Sequence, residues 1–176
     1  MSRITPVSIE HAPDAARPLL SGIQKSLGSV PNAFRTLAHA PAALGGYLAL
    51  SQALGKNSLS ARQRETVALA TSEANGCDYC LAAHSLFGRK AGLDDSAIEL
   101  ARRGSLDAVA IFARQVTESR GQVSDEQLAE ARAAGLSDAQ IVDIVAQIAL
   151  MTLTNYLNNV AQTDVDFPAV QPLTEE

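Results

Sequence analysis

Apolar side chains recur at spacings of three and four along most of this chain, and glycine, proline or a capping residue stands wherever the recurrence breaks. A first helical pattern begins at Pro13, with Leu19, Leu20, Ile23 and Leu27 on its apolar face, Pro18 complicating an early turn and Gly28 ending it. Pro31 suits the opening turn of a short helix over Asn32 to His39, which must stop before Pro41. A third helix, Ala42 to Leu54, places Leu44, Tyr47, Leu48 and Leu50 inward. Ser60 and Gln63 form a capping box that opens a helix with Glu65 in its second turn, and Asn75-Gly76 closes it. Cys77 opens the next helix, to Lys90, with Gly92 as the stop. Asp94 or Asp95 caps a helix through Arg103, and Gly104-Ser105 breaks it. Leu106 to Arg120 carries apolar Val109, Ile111, Phe112 and Val116, and Gly121 stops that pattern. Ser124, with Gln127 in the box position, caps a short helix through Ala134. Ser137 then caps a long one to about Ala161, whose apolar residues, from Ile141 to Leu157, cover most of its circumference. A helix apolar almost all round is buried at a domain centre or a subunit contact. The whole predicts an all-α fold in one domain, residues 1–176, with an irregular arm at 1–12 and a tail at 162–176.

One short pattern repeats. Gly92-Leu93-Asp94-Asp95-Ser96-Ala97-Ile98 and Gly135-Leu136-Ser137-Asp138-Ala139-Gln140-Ile141 share G-L-x-D-x-x-I, 43 residues apart. Turn-plus-cap chemistry that opens any helix accounts for the likeness, and a duplicated helical hairpin would also produce it.

Composition sharpens this picture. At 176 residues the chain can bury about two thirds of its unfolded surface. Hydrophobic residues make up 47 % but aromatic ones only 4 %, without tryptophan, so the core is built from Ala, Leu, Val and Ile, which suits close-packed helices. The net charge of −5 argues against nucleic acid, whose binding needs a positive footprint. Met1 to Glu10 lacks the apolar run of a signal peptide, and Ile141 to Leu153, the longest apolar-leaning region, is interrupted by Asp143 and Gln147, so no membrane span is expected. Two cysteines without an export signal point to the reducing cytoplasm, where C-x-x-C is more often catalytic or metal-binding than structural.

The dense chemistry lies between Ser60 and Gly92. Cys77 and Cys80, the only cysteines, form the C-x-x-C; His84 follows Cys80 by four positions and Glu65 precedes Cys77 by twelve. On a helix Cys80 and His84 lie one turn apart and Cys77 and His84 two turns, so both sulfurs and the imidazole can line one pocket. Both cysteines fall in a first helical turn, where unpaired N–H groups and the helix dipole stabilise a thiolate. If a helical hairpin brings Glu65 to His84, the carboxylate orients the imidazole and raises its basicity, the imidazole takes a thiol proton, and the second thiol can capture an oxidised sulfur. Three other readings stay open at this level. Zinc wants four ligands in a closed set, and the remaining histidines are His11 and His39, the latter read as a capping or surface residue. A structural disulfide across a three-residue step would close almost no loop. Two inert core cysteines are the third reading. Arg62, Arg64, Arg102, Arg103, Glu118, Glu126 and Glu130 read as solvated faces, with Arg62 or Arg64 able to attract an acidic partner. Asn155, Asn158 and Asn159 are unusual in so apolar a helix and are expected to satisfy backbone groups at a subunit boundary.

The pattern E-x(11)-C-x-x-C-x(3)-H, here Glu65, Cys77, Cys80 and His84, closely resembles the AhpD-like alkylhydroperoxidases of the carboxymuconolactone decarboxylase superfamily. Leu27 to Arg35 with Pro41, and Asn155 to Asn159 followed by Asp166-Phe167-Pro168, resemble its peroxidase-related branch. The resemblance implies an AhpD-like helical domain and a thiol-dependent peroxidase acting on alkyl hydroperoxides. It implies Cys80 as the attacking sulfur, which its one-turn relation to His84 also favours; thioredoxin-type logic would name Cys77. In the same reading Cys77 is expected to resolve, with Glu65 and His84 relaying the proton. It also implies an external dithiol or lipoyl-type electron donor with no bound cofactor or metal, and a homo-oligomer, trimer or hexamer. This chain departs at Tyr79, where well-studied members carry a histidine, so a second imidazole step is not available here. A general dithiol/disulfide oxidoreductase acting on a lipoyl or protein partner would use the same residues, and a redox sensor or zinc-binding adaptor would need no turnover. The decarboxylases that give the superfamily its name lack the C-x-x-C.

Overall fold

The computed structural model describes residues 1–173 and is all helical, with no strand among the described residues. Among the described residues nine helices follow in order: α1 Arg17–Leu27, α2 Asn32–Leu37, α3 Pro41–Leu54, α4 Ala61–Ala74, α5 Asp78–Lys90, α6 Asp95–Arg103, α7 Ala108–Ser119, α8 Asp125–Ala133 and α9 Asp138–Ala161. Their starts are written locally. Ser60, Ser124 and Ser137 each accept the N–H of a glutamine three residues on, and that glutamine returns a bond to the cap backbone. Asp94 and Asp107 cap α6 and α7 in the same way without the return bond.

Helix α4 is the hub. Thr66 to Ser72 are buried without interruption, because α5, α6, α7 and α9 all pack around it. A run of Ala, Thr and Ser among Val67 and Leu69 keeps the rod thin enough for four neighbours. Val67, Phe112, Val116, Ile144 and Ile148 fill the space between α4, α7 and α9. Leu20, Ile23, Leu37 and Leu44 form a second cluster among α1, α2 and α3. A third joins Ala33, Ala68, Met151 and Tyr79 to both cysteines, so the chemistry sits inside packed structure.

Several expectations are corrected. The first helix starts at Arg17, not Pro13, and Pro18 is accommodated in its opening turn, where the missing N–H costs nothing. Leu27 and Leu50 are 50 % and 38 % exposed, so neither belongs to the inner face assigned to it. Arg102 is no solvated residue: its guanidinium is buried, donates from Nε to Glu73 Oε2 at 2.6 Å, and reaches the Gln171 carbonyl at 3.0 Å. Helix α9 is buried on one face against α2, α3, α4, α5 and α7, while Val142, Val145, Leu153, Tyr156 and Val160 lie exposed along the other. At 24 residues it is long and apolar enough to cross a membrane by length and composition. The stretch from Ile141 to Leu153 is only part of that length, and 39 % of the helix's most apolar window is buried.

The arm is irregular but anchored: Arg3 N donates to Ala161 O at 2.6 Å and Arg35 Nε to Val7 O at 2.9 Å. His39, exposed, meets Thr5 O, which makes it a tie for this arm. The last three tail residues lie outside the described residues. The two copies of G-L-x-D-x-x-I occupy equivalent turns, with Gly92 and Gly135 at φ 91° and 97° and Leu93 and Leu136 both buried. The likeness extends to matching ion pairs of 2.9 Å, Arg89 with Asp95 and Arg132 with Asp138.

Candidate active site

Helix α4 ends at Asn75, Gly76 turns the chain at φ 59°, and Cys77 becomes the N-cap of α5. The Cys77 sulfur accepts the Cys80 N–H at 3.4 Å, so one side chain both starts the helix and fixes the spacing of the thiols. The short turn folds α5 back on α4 and carries His84 to Glu65, with Nδ1 and Oε2 2.7 Å apart. The imidazole is thereby oriented through Nδ1, leaving Nε2 for another partner.

Both sulfurs are buried and unbonded to each other. The Cys80 thiol is lowered to about 6: a hydrogen bond from the Cys77 thiol is the largest cause, burial opposes it, and the His84 charge with the amides of Asn158 and Asn155 adds to the lowering. Cys77 is displaced the other way, far above the usual thiol range, because it gives its proton to that bond and is itself buried. Helix-start placement alone would have favoured ionising Cys77, the sulfur at the N-cap. The exchange between the thiols outweighs it. Burial works to lower the His84 pKa, but the Glu65 charge and hydrogen bond together with Cys80 hold it above the ordinary value.

Of the α9 asparagines, Asn159 satisfies a backbone group as expected, whereas Asn155 and Asn158 bond side chains within the chain. Asn158 Nδ2 donates to Cys80 Sγ at 3.4 Å. Asn155 is fully buried, donates to Ser72 Oγ at 3.2 Å and accepts from Asn75 Nδ2 at 2.9 Å, while Asn159 holds the Asn75 carbonyl at 2.8 Å. The site thus lies among α4, α5 and α9, where a two-helix arrangement was expected. The only sequence signal was the oddity of three amides in an apolar helix.

Tyr79 is fully engaged. Its hydroxyl donates to Asp166 Oδ1 at 2.6 Å and accepts from Ala33 N at 3.1 Å, its ring meets Phe167 edge-on, and burial and Asp166 push the phenol upward. Asp166 also receives Asn32 N at 2.9 Å, so Tyr79 pins the start of α2 and the C-terminal segment to the cysteine turn.

A cavity of about 650 Å³ opens onto this site. Leu19 and Ile23 of α1, Phe34 of α2, Phe87 of α5 and Met151 of α9 give it apolar walls; Cys80, His84, Glu65 and Asn158 form its polar end, and Cys77 lies outside it. Tyr47 of α3 also lines it, with its phenol pushed up to about 12 by burial and by the negative Cys80 and Glu65, so it stays neutral. Among the described residues no group of three or more His, Cys, Asp or Glu side chains could hold a metal.

The family model for the carboxymuconolactone decarboxylase family matches residues 41–118, from α3 through α7 and including all four residues of the motif. In fold, the chain is similar to a structure described as an alkylhydroperoxidase AhpD core, an uncharacterised peroxidase-related protein from Ralstonia eutropha JMP134: TM-score 0.82, 28 % identity, 94 % of this chain and 92 % of that one covered. Together these findings support an AhpD-like protein of the carboxymuconolactone decarboxylase superfamily. A second neighbour, an uncharacterised peroxidase-related protein from Silicibacter sp. TM1040, has a TM-score of 0.75 at 23 % identity over 92 % of this chain and 91 % of its own. The debrominase Bmp8 shares the fold at TM-score 0.76 and 21 % identity, with 93 % and 91 % covered. No curated protein matches the sequence.

Proposed function

We propose that this AhpD-like protein is a thiol-dependent peroxidase that reduces organic hydroperoxides, with Cys80 as the attacking sulfur and Cys77 as the resolving one. One observation carries the reading: the cavity reaches Cys80, the sulfur whose thiolate is favoured, and does not reach Cys77. His84, oriented by Glu65, takes the Cys80 proton. The thiolate attacks a peroxide oxygen, the O–O bond breaks, and Cys80 becomes a sulfenic acid while an alcohol leaves. The Cys77 thiol then displaces water from that sulfur to give a disulfide, and two electrons from an external dithiol restore both thiols. No step requires a metal or bound cofactor.

The mostly apolar lining of the cavity suits an alkyl hydroperoxide and a lipoyl-type dithiol donor better than the surface of a folded protein. A reducing compartment such as the cytoplasm would keep the pair reduced between turnovers. The exposed apolar stripe of α9 supports a homo-oligomer, which light scattering would read as a multiple of 18.5 kDa.

Steady-state turnover with a panel of hydroperoxides and dithiol donors tests the proposal. Turnover with an organic hydroperoxide and a lipoyl-type dithiol is expected. Peroxide-independent reduction of disulfides at equal rate would support the oxidoreductase alternative instead.

A further inference from the structure

The three α9 asparagines differ in one respect. Asn155 has both ends of its amide bonded to protein, and Asn159 is tied to the Asn75 carbonyl. Asn158 is 3 % exposed, gives Nδ2 to the Cys80 sulfur, and has an Oδ1 to which no described residue donates. Its side chain lines the cavity. The nearby cavity hydroxyl on α9, that of Thr154, is turned back to the Met151 carbonyl. A buried carbonyl oxygen without a donor is costly, so this one marks where a ligand's O–H or N–H belongs. Gln147 Oε1 is a second unmatched acceptor on the cavity, but eleven residues earlier on α9 it lies roughly 16 Å from Asn158 along the axis, too far to act on the same group.

Building on the peroxidase reading, we infer that Asn158 is a substrate-positioning residue whose carboxamide holds the Cys80 thiolate with Nδ2 and accepts the hydroperoxy O–H with Oδ1. In a hydroperoxide the hydrogen sits on the terminal oxygen, the atom a thiolate attacks. Two contacts from one planar amide therefore set that oxygen beside the sulfur, near the roughly 3 to 3.5 Å separation of a near-attack geometry. The organic part then extends along Phe34, Phe87 and Met151. As the S–O bond forms and the O–O bond breaks, the electron pair goes to the inner oxygen, which leaves as the alcohol with the proton His84 took from Cys80. The terminal oxygen keeps its own hydrogen, so the bond to Oδ1 passes unbroken from hydroperoxide to sulfenic acid. The substrate class follows: peroxides with a free O–H, ROOH, and not dialkyl peroxides, ROOR.

The test compares two electrophiles on the reduced protein by stopped flow: cumene hydroperoxide, and methyl methanethiolsulfonate, which has neither O–H nor N–H. Their rate ratio at one pH cancels the thiolate fraction. In Asn158→Ala the ratio is expected to fall about tenfold, the effect of one lost hydrogen bond. Asn158→Asp, which keeps the acceptor and loses the donor, is expected to hold the ratio within about threefold of wild type while both rates fall together. Circular dichroism establishes that each variant is folded, and the aspartate variant carries the test if the alanine one is not. An unchanged ratio in Asn158→Ala, or an equal loss of ratio in Asn158→Asp, overturns the assignment. Wild-type protein that reacts with methyl methanethiolsulfonate but not with the hydroperoxide overturns the peroxidase reading itself, a failure visible without any variant.

Discussion

Cys77 and Cys80 sit three residues apart at the start of one helix, yet their surroundings drive them to opposite states. Cys77 is walled off from the cavity, receives a backbone N–H and keeps its proton. Cys80 faces the cavity, receives the Cys77 hydrogen bond and the Asn158 amide, lies within the field of His84, and gives its proton up. The lesson is that the helix dipole does not decide which sulfur ionises. Specific donors do, because in a buried site each hydrogen bond to an anion counts for more than a diffuse partial charge.

The largest effect that could break this contrast comes from replacing one sulfur at a time. Cys80→Ser should abolish rapid oxidation by hydroperoxide, a loss of roughly a hundredfold or more, whereas Cys77→Ser should oxidise fast and stop at a sulfenic acid that a dimedone-type probe traps. Equal, slow oxidation in both variants would erase the division of labour. Next comes the carboxylate. Glu65→Gln keeps a partner for His84 but removes the charge holding the imidazole pKa up. The charged imidazole is lost at lower pH, Cys80 loses its support, and thiol reactivity at neutral pH should fall by roughly tenfold to a hundredfold. A pH profile as fast as wild type would show that the ring acts without Glu65.

A smaller shift tests the thiol pair. Wild-type alkylation should reach half its limit at a pH near 6, the value to which Cys80 is lowered. Since the Cys77 hydrogen bond is the largest cause of that lowering, Cys77→Ala should move the midpoint upward, and a midpoint that stays put would assign the acidity to His84 and Asn158. Smallest in chemistry is Tyr79→Phe. It strips a hydroxyl that Asp166 and Ala33 share, costing about 1 to 3 kcal/mol. The thermal midpoint should drop by several degrees while the alkylation midpoint barely moves. A large change in reactivity would return Tyr79 to the proton chemistry.

What could be read in advance was local. The three serine caps and their glutamines specify each other across three residues, and Glu65 could be paired with His84 because Asn75-Gly76 forces a tight reversal between their helices. What was not legible depends on contacts across long stretches of chain. Asn158 reaches Cys80 over 78 residues and Arg102 reaches Glu73 over 29, and an amide or a guanidinium carries no mark of its distant partner. Which side of α9 faces the core was not legible for another reason: a valine facing water and a valine facing the core are spelled alike.

Cys77 also caps α5. Whenever the two sulfurs join, the group that terminates the helix is drawn into a covalent link and ceases to be a free acceptor for the Cys80 amide. The oxidised protein would then be frayed at that turn, with faster deuterium uptake at Cys80 than in the reduced form. Such loosening would widen the approach that the cavity gives an incoming reductant to the Cys80 side of the bond.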